Sequence, residues 1–250
     1  MAGQVGAERL AALLRDAGSV VALTGAGISV PSGIPDFRSP VTGLWANVDP
    51  MEVAHIDAWR RDPERFWRFY GHRFHVLDGK EPNGAHRVLA ELESRGILDA
   101  VVTQNIDGLH RKAGTRRLIE VHGTIDWSVC LACGARYPLD DVRERLDADP
   151  QGIPRCDCAR PLKPGVVLFG ELLPDGAMEE ATELARGADV LLCIGTSLEV
   201  WPVAGLADVT ASAGGAVAIV TKGPTPFDAD ATVRLDGDVV DELEAVLAAL

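Results

Sequence analysis

Four of the five cysteines stand in two close pairs, Cys130-x-x-Cys133 and Cys156-x-Cys158, with one long gap between them. Two pairs of thiolates suit tetrahedral zinc, because each pair spans one edge of the tetrahedron. Disulfides are the alternative, and they need an oxidising compartment. The N-terminus shows no basic flank followed by an apolar run and a small-residue cleavage site, so the expectation is a cytoplasmic chain with a metal site. No histidine lies among these cysteines, so the site reads as structural rather than catalytic, with one zinc per chain. Cys193, inside the apolar run "VLLCIG", reads as a small buried hydrophobe.

A second set of reactive side chains follows short apolar runs. "SVVALTGAGIS" ends in Gly25, Ala26, Gly27 and Ser29, and "TQNIDGLH" places Gln104, Asn105, Ile106 and Asp107 in a turn. "LIEVHG" ends in His122, "GTS" is Gly195 to Ser197, and "TKG" is Thr221 to Gly223. A neutral imidazole can serve as general base near pH 7. An amide beside a carboxylate suits a carboxamide-bearing ligand such as nicotinamide, and small residues with hydroxyls let a backbone approach phosphate. Each feature alone is ordinary: a strand-end histidine is usually structural, and "NIDG" is a turn whose side chains bond their own backbone. Five such ends on one rim are harder to dismiss.

Those ends require a sheet that lines them up. Strand candidates are Val20–Leu23, Ala100–Thr103, Leu118–Val121, Val190–Ile194 and Ala216–Val220. Most are continuous apolar runs, as in a parallel sheet covered on both faces. Helical patterns precede several of them, in "GAERLAALLRDAG", "GAHRVLAELESRG" and "MEEATELARGA". The alternation predicts an α/β doubly wound parallel sheet, Rossmann-like, with ligands beyond the strands' carboxyl ends. The first turn departs from a dinucleotide fingerprint: Val30 takes the third-glycine position, and Pro31, Gly33 and Pro35 break the chain where a helix would start.

Two stretches fit the sheet poorly. Residues 39–79 hold three of the five tryptophans (Trp45, Trp59 and Trp67), and residues 126–164 hold the paired cysteines. Both read as insertions forming a smaller zinc-binding and helical domain, leaving 1–38, 80–125 and 165–250 to the large one. The net formal charge of −13 argues against a nucleic-acid surface. It suits basic partners, but acidity that maintains solubility is the simpler cause. No apolar stretch approaches a membrane span.

With these residues assembled, the chain resembles the sirtuins, the NAD-dependent protein lysine deacylases, over nearly its whole length, as one catalytic unit. The matching motifs are "GAGIS", "GIPDFR", "TQNIDGLH", "VHG", the two cysteine pairs, "VVLFGE" and "GTS". The resemblance implies that Asp36, Phe37 and Arg38 join Gly25, Ala26, Gly27 and Ser29 in contacting NAD from a loop that closes over the nicotinamide ribose, mobile rather than helical. It implies that Asn105 and Asp107, in the turn with Gln104 and Ile106, seat the carboxamide. Gly195, Thr196 and Ser197 would line the phosphates, and Thr221, Lys222 and Gly223 the adenosine. His122 would be the catalytic base, with free lysine, nicotinamide and O-acyl-ADP-ribose as products. Thr221 departs from the family, which often has asparagine there. "VVLFGE", with Val167, Leu168, Phe169 and Gly170, would be a strand that pairs with the backbone of an acyl-lysine segment. Tyr70 and Arg73 in "RFYGHRF" align with the residues that hold a distal carboxylate in desuccinylating sirtuins, while Pro40 stands where those relatives have smaller residues. Removal of acetyl and of succinyl or malonyl groups is expected. Mono-ADP-ribosyl transfer and a non-enzymatic NAD or acyl-lysine binding module are the alternatives, which intact His122 and Asn105 disfavour. Val30 and the broken helix start disfavour an oxidoreductase.

Overall fold

The computed structural model describes residues 2–37, 43, 48–77 and 79–250, with the backbone alone at 2, 3, 73 and 75. The strands are β1 (Val20–Thr24), β2 (Ala100–Thr103), β3 (Leu118–Glu120), β4 (Gly123–Val129), β5 (Arg136–Pro138), β6 (Lys163–Val166), β7 (Val190–Ile194), β8 (Ala216–Val220) and β9 (Val233–Leu235). The helices are α1 (Ala2–Asp16), α2 (Pro50–Val53), α3 (Ile56–Arg61), α4 (Pro63–Val76), α5 (Gly84–Ser94), α6 (Leu109–Ala113), α7 (Leu139–Ala148), α8 (Ala177–Gly187), α9 (Leu206–Ser212) and α10 (Val239–Ala249).

Six strands form one parallel sheet in the order β3-β2-β1-β7-β8-β9. Their side chains alternate between two separate cores. Val20, Ala22, Val190, Leu192 and Ile194 face α1, α5 and α10, whereas Val21, Leu23, Leu191, Cys193 and Ile219 face α8 and α9. Both faces are therefore dry, and this is why the strands read as unbroken apolar runs. The expected doubly wound sheet is present, with three differences at its margins. β1 runs one residue further, β3 stops at Glu120, and β9 went unforeseen because "VRL" is too short and too polar to signal itself.

The second sheet is antiparallel, β5-β4-β6. It shares a third core with the helices of the other insertion: Trp59, Phe66, Trp67 and Phe74 pack with Cys130, Tyr137, Val142, Leu146 and Leu162. The indole N–H groups of Trp59 and Trp67 both donate to the Leu162 carbonyl, at 3.1 and 2.9 Å. Aromatic area from one insertion thus covers backbone of the other. Among the described residues, no helix is long and apolar enough to cross a membrane.

Candidate active site

The order of the large sheet reverses between β1 and β7, and a doubly wound sheet opens its ligand crevice at that point. The two strand ends cross in contact: Gly25 N–H donates to Ile194 O at 3.1 Å, and Gly27 N–H to Gly195 O at 2.8 Å. A Cβ on Gly27 would stand 2.8 Å from Gly195 Cα. One on Gly195, where φ is +59°, would stand 2.2 Å from Ile28 N. Only glycine fits both sides of the crossing. The chain then turns through a 3₁₀ helix, Ala26–Ser32, closed by Gly33 at φ +76°. The expected non-helical loop is therefore helical over its first seven residues; Pro31 is tolerated there because the tight turns are short. Residues 34–36 have no regular structure and 37 is a bend. Arg38 and Pro40 lie outside the described residues.

A connected polar floor lies below this crossing. Ser29 Oγ donates to Asp107 Oδ2 at 2.7 Å, and Asn105 Nδ2 donates to Gly25 O at 3.0 Å and to Ser29 Oγ at 3.2 Å. The other Asp107 oxygen caps α6 by accepting from Leu109 N–H at 2.9 Å. These bonds leave the Asn105 side-chain carbonyl available to a ligand amide. Gln104 Nε2 donates to Thr196 Oγ1 at 2.9 Å, tying the end of β2 to that of β7.

His122 begins the passage from β3 to β4. Its Nδ1 lies 3.1 Å from the Gln104 carbonyl. A carbonyl only accepts, so Nδ1 carries the proton and Nε2 keeps its lone pair. Burial holds the imidazole pKa below its ordinary value, partly opposed by that carbonyl. The side chain is thus a neutral base at physiological pH.

All of these groups face one cavity of about 950 Å³. Every described residue expected in the cofactor set lines it: Gly25, Ala26, Gly27, Ser29, Asp36, Phe37, Gln104 to Asp107, Gly195 to Ser197 and Thr221 to Gly223. His122, Tyr70 and Val167 to Gly170 line it as well. Tyr70 is buried on α4, stacked on Phe66 with ring centroids 4.7 Å apart. Arg73 lies on the same helix, and its side chain is outside the described residues. Trp201, Asp238 and Val239 also line the cavity and went unrecognised. The run "GTSLEVWP" carried the only available signal for Trp201. Asp238 gave none, since as a helix cap that accepts from Val240 N–H it looks like any other Asp.

Within the chain, "VVLFGE" makes no ladder beyond its first residue. β6 ends at Val166, and beyond it the backbone N–H groups go to three places, none of them a strand. Val167 N–H donates to His122 O at 2.8 Å, Phe169 N–H to Ala54 O at 2.9 Å, and Glu171 N–H turns back to Leu168 O at 3.0 Å. No single neighbour offers a continuous ladder, so β-prone residues fail to make a strand.

The four cysteines of the paired motifs are unbridged, and their Sγ atoms all lie within 4.8 Å of one another. Cys130–Cys158 and Cys133–Cys156 approach to 3.5 Å. That is too long for a disulfide and close to the edge of about 3.8 Å that zinc–sulfur bonds of about 2.3 Å set in a tetrahedron. Both turns are built for it: Gly134 (φ +77°) follows the first pair and Ala159 (φ +65°) the second. The donor set fits zinc, and the shorter "CDC" spacing is accommodated by the left-handed residue behind it.

Residues 25–202 match the model of the Sir2 family. Over 236 residues, 94% of each chain, the protein is 41% identical to the NAD-dependent protein deacetylase of Thermotoga maritima. It is 44% identical to NAD-dependent protein deacetylase 1 of Geobacillus kaustophilus over 232 residues, 91% of this chain and 93% of that one. Its structure is similar to a Sir2 with a deacetylated p53 peptide and 3′-O-acetyl ADP ribose, at TM-score 0.92 and 40% identity over 96% of both chains. It is also similar to Sir2Tm bound to a propionylated peptide, at TM-score 0.87 and 39% identity over 96% of both.

Proposed function

The chain belongs to the Sir2 family, and from that membership and the geometry of its cavity we propose that it is an NAD-dependent protein lysine deacylase. NAD⁺ supplies an activated ribose carbon that accepts the acyl oxygen as nicotinamide leaves. The glycine crossing of β1 and β7 admits the dinucleotide close to the backbone. Asn105 and Asp107 orient the carboxamide from below, and Thr196 and Ser197 face the phosphates. His122 Nε2 takes the ribose hydroxyl proton, held in the correct tautomer by the Gln104 carbonyl. The contact of Nδ1 with that carbonyl is the observation that carries the reading: a half-buried imidazole, oriented by a second group, at the wall of a nucleotide-sized cavity. Among the site roles, those of Arg38 and Arg73 rest on resemblance alone. The zinc would be structural, since a set of four cysteine ligands leaves no open position. We also assign residues 39–79 and 126–164 to a small domain and the rest to a large one; the core that the two insertions share supports this division, and it draws in Ile34, Leu109, Ile125, Val166 and Leu168 from the flanking segments.

The acyl-lysine segment enters beside Val167 to Gly170, and the acyl group points toward Tyr70. A relative is bound to a propionylated peptide, so acetyl is not the limit of the fold. Tyr70 and Arg73 stand three apart on α4 and share one face. We read them as a clamp for a distal carboxylate, so that succinyl- or malonyl-lysine is accepted at least as well as acetyl-lysine. An arginine–carboxylate contact is worth about 1.5–3 kcal/mol, roughly ten- to a hundredfold in affinity. Arg73→Met should therefore cut desuccinylation by about that factor and spare deacetylation. Equal effects on both, or a wild type that removes acetyl and never succinyl, would remove the clamp. Incubation with NAD⁺ and acylated peptides, with mass spectrometry of both products, tests the main reading. Nicotinamide with O-acyl-ADP-ribose supports it, whereas ADP-ribosylated protein or no turnover refutes it.

A further inference from the structure

Lys163 is a buried cation that the reaction does not use. Its ammonium donates to Val166 O at 2.7 Å and Pro164 O at 3.1 Å, and it pairs with Glu171 Oε2 at 2.7 Å. Those three acceptors match its three protons. The same Glu171 oxygen accepts from Leu168 N–H at 2.9 Å, and Glu171 N–H closes the turn onto Leu168 O. The turn is pressed tight as well: Gly170 has φ +84°, and a Cβ there would meet His55 Nε2 at 2.7 Å. The pair thus ties both ends of the segment 166–171. The middle of that segment is pinned elsewhere, with Val167 N–H on the His122 carbonyl and the Phe169 backbone bridging to Ala54 and Ile56.

We propose that Lys163 and Glu171 are positioning residues for acyl-lysine binding. Their ion pair, Lys163 buried and Glu171 half-buried, holds 167–170, which otherwise has no sheet to define it, in the conformation that receives the substrate backbone. The inference rests on the deacylase reading and adds to it a specificity-setting clamp outside the reacting groups. A merely structural ion pair makes a different prediction. A buried pair replaced by apolar residues of similar size usually keeps or gains stability, whereas removing one partner leaves an uncompensated charge. The test is therefore the double variant Lys163→Met/Glu171→Leu beside the single Lys163→Met.

The single variant should lower the melting temperature, and the double variant should recover part of the loss, since Glu171→Leu also removes the acceptor of Leu168 N–H. If the clamp positions substrate, the double variant keeps the wild-type KM for NAD⁺ but raises the KM for acetyl-lysine peptide by roughly ten- to a hundredfold, the cost of a mispositioned binding element. Anisotropy of a labelled acetyl peptide should show the same loss without NAD⁺. A folded double variant with wild-type peptide KM overturns the proposal, as does a KM increase shared equally by NAD⁺ and peptide. If the double variant fails to refold, Glu171→Gln, which keeps an acceptor for Leu168 N–H, decides by the same KM comparison. A wild type that neither binds nor turns over acetyl peptide overturns the deacylase reading and this one together.

Discussion

His122 carries the chemistry because two neighbours constrain it: burial keeps it neutral and the Gln104 carbonyl fixes which nitrogen is free. His122→Ala should leave the fold intact and reduce deacylation at least ~10²-fold, the usual weight of a general base; near-normal turnover by a folded variant would remove it from the mechanism. The acid limb of kcat/KM should lie below the ordinary histidine value of about 6.5, since the base form survives to lower pH. Two other histidines behave differently. His86 and His110 are buried with rings 4.8 Å apart, and neither Nδ1 finds a partner among the described residues. Burial pushes their pKa values down to about 4 and about 3. Unfolded chains bind the protons that these sites refuse, so the associated stability is present above about pH 6.5 and is lost as pH falls through the lower values. Each pH unit in that window is worth about 1.4 kcal/mol per histidine. Melting temperature should accordingly drop steeply on acidification below about pH 6, and a flat profile down to about pH 4.5 would contradict this. Strand-end His122 was legible in the sequence. His86 sits in a helical pattern and His110 closes the turn motif "TQNIDGLH", and only the packing of α5 against α6 brings them together.

At the scale of elements, the site depends on two strands whose ends pass within van der Waals contact. Gly195→Ala would put a Cβ 2.2 Å from Ile28 N at a φ that favours glycine. The expected outcome is loss of NAD⁺ binding by calorimetry together with a lower melting temperature, and a variant with unchanged affinity would show that the crossing can spread. Gly25 and Gly27 were recognisable from "GAG". The need for Gly195 was not, because its neighbour across the crossing lies far away in sequence. The same limit explains the segment after β6. Val166 to Phe169 has strong β propensity, and nothing local reveals that its hydrogen bonds go to three different places.

For the whole molecule, the cavity is walled by strand ends of the large sheet and by third-core residues such as Ile34, Tyr70 and Leu168, so its chemistry depends on the small module being folded. The cysteine knuckles tie β4 and β5 to the core containing Trp67, Phe74 and Tyr70. Purified protein should carry about one zinc per chain, and its removal by a chelator should abolish activity while the six-stranded sheet keeps its far-ultraviolet signature. Cys130→Ser should do the same. Full activity in metal-free protein would show that aromatic packing suffices. The amino-acid sequence by itself determined the elements and the reactive residue types, because apolar periodicity, glycine turns and paired cysteines act over a few residues. It placed five strands of the large sheet to within a residue and showed that His122, Asn105 and Asp107 follow such ends, but it signalled neither β9 nor the three strands of the small sheet. Tertiary structure alone decided which ends meet: strand order put β1 beside β7, the approach of their backbones demanded Gly195, and two distant insertions merged around one carbonyl of Leu162. Contacts between remote segments depend on the register and spacing of whole elements, and no short stretch of sequence contains that information.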